Sequence, residues 1–91
     1  MNKEELISRV REAGDAVITY RSPESKKLKY NVCTLDFSTD YVQTKQNRAK
    51  ETDDTVLLWC WDVDAYRLLR HENVTSVVPL SAAMGERSNV R

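Results

Sequence analysis

Leu6, Val10 and Ala13 stand at i, i+4 and i+7 with Ile7 beside them, which makes one apolar stripe of an α-helix. Asn2 is placed to cap that helix, and Glu4 and Glu5 put negative charge at the positive end of its dipole. Gly14 is the natural stop. Past it the helical period gives way to alternation. "AVITY" (16–20) is rich in β-formers, and "RSPESKK" follows as a loop suited to closing a hairpin. In "LKYNVCTLDF" (28–37), Leu28, Tyr30 and Val32 fall on one face and Lys29 and Asn31 on the other, so a half-buried strand is predicted with the apolar set inward. "STDYVQT" reads as a short third strand. "KQNRAKETDD" has no apolar period and reads as an exposed loop.

"TVLLWCWDV" is the most apolar run, and its length and Val/Trp content suit a central strand buried on both faces. "DAYRLLRHEN" sets Ala65, Leu68 and Leu69 at helical spacing with Asp64 as a candidate cap, so a short helical turn is expected there. "VTSVVPL" closes the pattern as a last strand, stopped by Pro79, which has no amide to give to a ladder. The tail 81–91 shows no period and is expected to be flexible. The predicted architecture is α+β. It comprises a small SH3- or Sm-like barrel of about five strands, an amino-terminal α-helix and a helical turn before the last strand, all within residues 1–80.

Composition narrows this picture. Ninety-one residues make one small core, and the 41% hydrophobic and 31% charged content is that of a globular chain. Fourteen basic and fourteen acidic side chains cancel, which removes the electrostatic footprint of a strong nucleic-acid or membrane-surface binder. The charges are nonetheless segregated: seven bases against three acids between Arg21 and Lys50, then five acids and no base from Glu51 to Ala65. Cys33 and Cys60 both sit in apolar runs, too few for a secreted disulfide scaffold. With no continuous apolar stretch of signal or membrane-span type, a reduced, cytoplasmic location is expected.

The segments "KLKYNVCTLDF" and "WCWDVDAYRLLRHENVTSV" resemble the WYL-like family of small phage proteins with an Sm-like SH3 barrel. The resemblance spans residues 16–78 and rests on Cys33, Thr34 and Leu35, then Asp62, Tyr66 with Arg67, Arg70 and Val74. It implies a barrel fold, a phage origin and action in the host cytoplasm.

Catalysis needs a nucleophile with a base, paired acids or a metal cluster. His71 is the single histidine, and the cysteines it would have to serve alternate with core residues, where a thiol behaves as an inert hydrophobe. Asp62 and Asp64 share a face of an extended segment, but they lack the glycine and alternating oxygen ligands of a calcium loop. Gly14 and Gly85 are too far apart for a phosphate loop. No catalytic residue, metal or cofactor is expected.

Trp59 and Trp61 share a face of an extended strand and are assigned to the core with Leu58, Val32 and Val77; a base-stacking platform is the functional alternative. Arg67 and Arg70, three apart on a helical turn, would point the same way. They make either an anion clamp extended by Lys26, Lys27 and Lys29, or a pair of salt bridges to Asp62 and Asp64. The leading reading is a non-enzymatic module that docks onto a host or phage protein, with an exposed sheet edge that also suits a homodimer. The second is single-stranded DNA or RNA binding through Tyr20, Tyr30, Arg67, Arg70 and the hairpin lysines. A third, sensing of a nucleotide, requires a concave pocket near Arg67.

Overall fold

The computed structural model of the chain describes residues 1–45 and 49–88. Helix α1 (Lys3–Ala13) opens with the Asn2 side chain accepting the Glu5 amide, and it ends where Gly14, at φ 77°, returns its amide to Val10. A left-handed residue at that point turns the chain straight into β1 (Asp15–Arg21). A turn in which the Lys26 amide donates to the Ser22 carbonyl and the Ser22 amide donates to the Lys27 carbonyl, each at 2.9 Å, leads into β2 (Leu28–Thr34). Then come α2 (Asp40–Gln43), β3 (Thr55–Cys60), β4 (Ala65–Arg70), a 3₁₀ turn (His71–Asn73), β5 (Val74–Pro79) and α3 (Leu80–Ser88).

The five strands form one antiparallel sheet in the order β4-β3-β2-β1-β5. The sheet is open, with β4 and β5 as its edges, so the molecule is α+β as predicted but shows no closed barrel. One face carries the main core: Ala16, Ile18, Tyr20, Cys33, Val56, Leu58, Cys60, Leu69 and Val74, with Leu6 and Val10 of α1 laid across it. Leu58 is fully buried, and Val77 packs half-buried against the cluster.

On the opposite face Trp59 is fully buried under a second group of rings. Tyr66 meets it edge-on at 5.1 Å, Trp61 at 5.9 Å and Tyr41 at 6.2 Å, and Phe37 meets Tyr66 at 5.3 Å. Strand β3 is therefore buried on both faces at Trp59, as its unbroken apolar run predicted. At about 25 cal/mol per Å² and roughly 200 Å² for an indole, burying that ring contributes on the order of 5 kcal/mol.

Several expectations are corrected. "STDYVQT" is not a strand: Thr39 caps a helical turn by accepting the Val42 amide, and α2 drops Val42 into a buried position. The stretch Ala65–Arg70 is not helical. It pairs along its whole length with β3, from Thr55 opposite Arg70 to Cys60 opposite Ala65, and this ladder outweighs the weak i, i+3, i+4 signal of Ala65, Leu68 and Leu69. Only His71–Asn73 is helical, so the turn before the last strand exists but is shorter and later than expected. Asp64 does not cap it; at φ 54° it forms part of the β3–β4 turn.

Strand β2 has the opposite parity to that expected. Asn31 and Cys33 face the core, while Leu28 and Tyr30 are exposed and Val32 is half-buried on the outward face. The segment expected to be a loose tail is helical from Leu80 to Ser88, and 89–91 lie outside the described residues. Of the predicted exposed loop, 46–48 also lie outside them, and Glu51 to Asp54 are exposed. Among the described residues no helix is long and apolar enough to cross a membrane.

Candidate binding cleft and outward sheet face

Where β2 and β3 meet, the ladder is short. Only Cys33 with Cys60 and Thr34 with Trp59 are paired, after which the Trp61 amide reaches Val32 O at 2.8 Å. Beyond that point a side chain takes over from the strand. Asp62 accepts the Val32 amide at 3.1 Å through Oδ1 and the Asn31 side-chain amide at 2.9 Å through Oδ2. Asn31 in turn accepts the Tyr20 hydroxyl at 2.7 Å. Asn31 is a buried polar residue, and this relay satisfies its side-chain oxygen and one side-chain N–H, which explains how it is tolerated on the core face. Burial pushes the Tyr20 phenol up, with the Arg67 charge acting in the opposite direction.

The gap between the free edge of β4 and the end of β1 is a cleft of about 360 Å³. Tyr20, Lys29, Arg67 and Arg70 all line it, together with Glu24 and an apolar wall that includes Leu68 and Leu69. Four of the seven residues singled out for binding are thus brought together. The other three are not among its lining. Lys26, at φ 62°, and Lys27 hold the β1–β2 turn through their backbones, and Tyr30 stands on the outward face.

The expected arginine pair is also corrected in detail. In a strand, residues three apart point to opposite faces, so Arg67 faces inward opposite Leu58 while Arg70 faces outward opposite Thr55. They meet at the cleft because β4 is an edge. Neither pairs with Asp62 or Asp64. Arg70 lies 3.7 Å from Asp54 and 3.5 Å from Glu72, whereas Asp64 is held by the Tyr41 hydroxyl and by Lys45 at 3.3 Å. The Tyr41 bond holds the Asp64 carboxyl below its ordinary range, with Lys45 adding to the effect.

The Trp61 assignment to the core is overturned. Strand β3 ends at Cys60, and the indole lies in the following turn, 37% exposed, stacked against Tyr41 at 6.3 Å and donating to Asp15. Tyr20 is only 8% exposed, so its ring is packing material and not a stacking platform. The cysteine sulfurs lie 3.2 Å apart, both buried and free, and the hydrogen bond to Cys60 together with burial pushes the Cys33 thiol up. His71 is bonded to the Met1 carbonyl, at 3.0 Å.

The outward face of the β2–β1–β5 layer is the second notable surface. Tyr30 is 67% exposed and Leu28 57% exposed, opposite Thr19 and Arg21, and further along β2 the half-buried Val32 stands in register with Val17, which also faces Val78. The alternation in "LKYNV" displayed this apolar row; nothing in the sequence said that it points outward. Comparison with family models, with curated proteins and with solved structures found no match to this chain. The site is thus defined by its own geometry: an open antiparallel sheet with a cationic cleft at one edge and an apolar outward face.

Proposed function

We propose that this chain is a small, phage-type, non-enzymatic binding module that docks onto a host or phage protein through the outward face of its β2–β1–β5 layer. The observation that carries the reading is the exposed pair Leu28 and Tyr30 on the outward face of β2, continued along that strand by the half-buried Val32 and its cross-strand neighbours Val17 and Val78. Single exposed apolar residues are ordinary, but a contiguous apolar patch on a sheet face marks an interaction surface. Tyrosine at the centre of such a patch supplies area at little entropic cost.

The helix, the five antiparallel strands and the 3₁₀ turn before the last strand follow the order expected of an Sm-like SH3 barrel. The sheet edges β4 and β5 offer unpaired backbone that suits a homodimer. Nucleic acid is the poorer fit. The Tyr20 ring is buried, Lys26 and Lys27 stand apart from the cleft, and a net charge of zero supplies little counterion release.

The test is affinity capture from host and phage-infected lysates, with and without nuclease, by wild type and by the double variant Leu28→Ser/Tyr30→Ser. The expected result is a stoichiometric, nuclease-resistant protein retained by wild type and lost by the variant, with the variant's melting curve unchanged. Capture that survives the double substitution, or that disappears with nuclease, would refute the reading.

A further inference from the structure

Arg67 stands where the strand register calls for a core side chain. Its cross-strand partner is the fully buried Leu58, and the next inward pair, Val56 with Leu69, is buried as well. At the sheet edge the Arg67 side chain is nonetheless exposed, so its charge is open to a partner in the cleft. Among the described residues Arg67 forms no ion pair and no side-chain hydrogen bond. Four acids are engaged elsewhere, Asp62 with Asn31 and Val32, Asp64 with Tyr41 and Lys45, and Asp54 and Glu72 with Arg70, while Glu24 lines the cleft without pairing with Arg67.

Lys29 repeats the pattern. It lies opposite Tyr20, on the same inward face as Asn31, and likewise has no ion-pair or side-chain hydrogen-bond partner among the described residues. Both cations line the same cleft, Arg70 is at its wall, and Glu24 is the acid of the lining. A concave site lined by three cations and one acid calls for a compact anion.

We propose that this cleft binds the phosphomonoester group of a ligand, with Arg67 and Lys29 engaging its oxygens and the wall of Leu68, Leu69 and Pro23 receiving the uncharged remainder. The chemistry matches on three counts. A phosphomonoester carries close to two negative charges near neutral pH, as many as the two unpaired cations supply, whereas a carboxylate carries one. The arginine fork matches two oxygens of one group, and lysine adds a point charge. A volume of about 360 Å³ is that of a small-molecule site. The site is distinct from the outward face, since Arg67 and Lys29 point to the other side of the sheet from Tyr30.

Such a phosphate belongs either to a free nucleotide-sized molecule or to the 5′ end of an oligonucleotide. The ¹⁵N-labelled full chain is titrated with AMP, with adenosine, and with one short oligonucleotide bearing a 5′-phosphate or a 5′-hydroxyl. Saturable amide shifts confined to residues around Tyr20, Lys29 and Arg67 are expected with AMP or with the 5′-phosphorylated oligonucleotide, and not with adenosine or the 5′-hydroxyl form. Saturation by AMP assigns the source to a free molecule. Saturation by the phosphorylated oligonucleotide alone assigns it to a chain end.

Arg67→Ala and Arg67→Gln should each weaken the binding by about ten- to a hundredfold, the loss expected for a charged hydrogen-bonding partner. Lys26→Ala, outside the cleft, should leave it unchanged. The proposal is overturned if no phosphate carrier gives saturable shifts or if the dephosphorylated partners bind equally well. Undiminished binding by an Arg67 variant with a native spectrum overturns it too.

Discussion

Asp62→Ala tests the central polar device of the fold. The substitution removes the acceptor of the Val32 amide at 3.1 Å and of the Asn31 side chain at 2.9 Å, and it leaves the Tyr20–Asn31 bond without its anchor. A hydrogen bond to a charged group contributes about 1.5–3 kcal/mol, and a stranded buried amide costs about 1–3 kcal/mol. Asp62 itself is exposed, so water recovers part of the loss at Val32 and little of it at the buried Asn31. The expected cost is about 2 kcal/mol, equivalent to a melting point lower by roughly 8–16 °C in a domain of this size. Urea unfolding followed by tryptophan fluorescence measures it, with an unchanged m-value as the check on two-state behaviour. Asp62→Asn, which keeps one acceptor oxygen, should cost about half as much. A double-mutant cycle with Asn31→Ala should return a coupling of about 1 kcal/mol. An Asp62→Ala variant within about 0.5 kcal/mol of wild type, the range of an ordinary surface change, would refute the relay.

Three further outcomes are expected. Glu51 accepts the Leu57 amide at 2.9 Å and faces Lys3 at 3.2 Å, and these contacts, the amide first, hold its carboxyl below the ordinary 4.5. The unfolded chain then binds the proton first, so this contribution is complete above pH 4.5 and is lost as pH falls through the lower folded value. Glu51→Gln should flatten that limb of the acid-unfolding curve, and an unaltered slope would count against it. Cys33 and Cys60, both buried, should resist a thiol reagent such as DTNB in the native state and react together on unfolding; rapid native labelling would show that the β2–β3 junction is not closed. Gly14→Ala meets no atom within 4 Å, so its cost is the left-handed backbone at φ 77°, about 1 kcal/mol or roughly 4–8 °C by thermal circular dichroism. A stabilised Gly14→Ala variant would contradict the cap geometry.

The amino-terminal helix was legible to the residue because its signals are local: Asn2, Glu5 and the stripe of Leu6 and Val10 act within one element. The burial of β3 on both faces was legible as well, since an apolar run without alternation has few other uses. Elsewhere the decisive partner lay far along the chain. Ala65–Arg70 carries a helical spacing of its own and becomes a strand because β3 offers it a full ladder. Alternation in β2 announced two unlike faces, but Asn31 turns inward only because Tyr20 and Asp62 stand ready to bond it. The same holds for the cleft. Residue types alone selected Arg67, Arg70, Lys29 and Tyr20, while the faces they occupy, and the lack of an ion pair at Arg67 among the described residues, depend on strand register that composition does not encode.

The brevity of the β2–β3 junction shapes how the molecule comes apart. With two residue pairs, the Trp61–Val32 hydrogen bond and one aspartate joining the β5–β1–β2 layer to the β3–β4 hairpin, the backbone link is thinnest in the middle of the sheet. Each side retains its own long ladder, so the cheapest sub-global opening is a parting of the two halves along that line, with free energy below that of complete unfolding. The Val32 amide, guarded by a carboxylate, then becomes the sentinel of that breathing. Its hydrogen exchange reports the parting while Ile18 and Leu58, deeper in their ladders, stay silent.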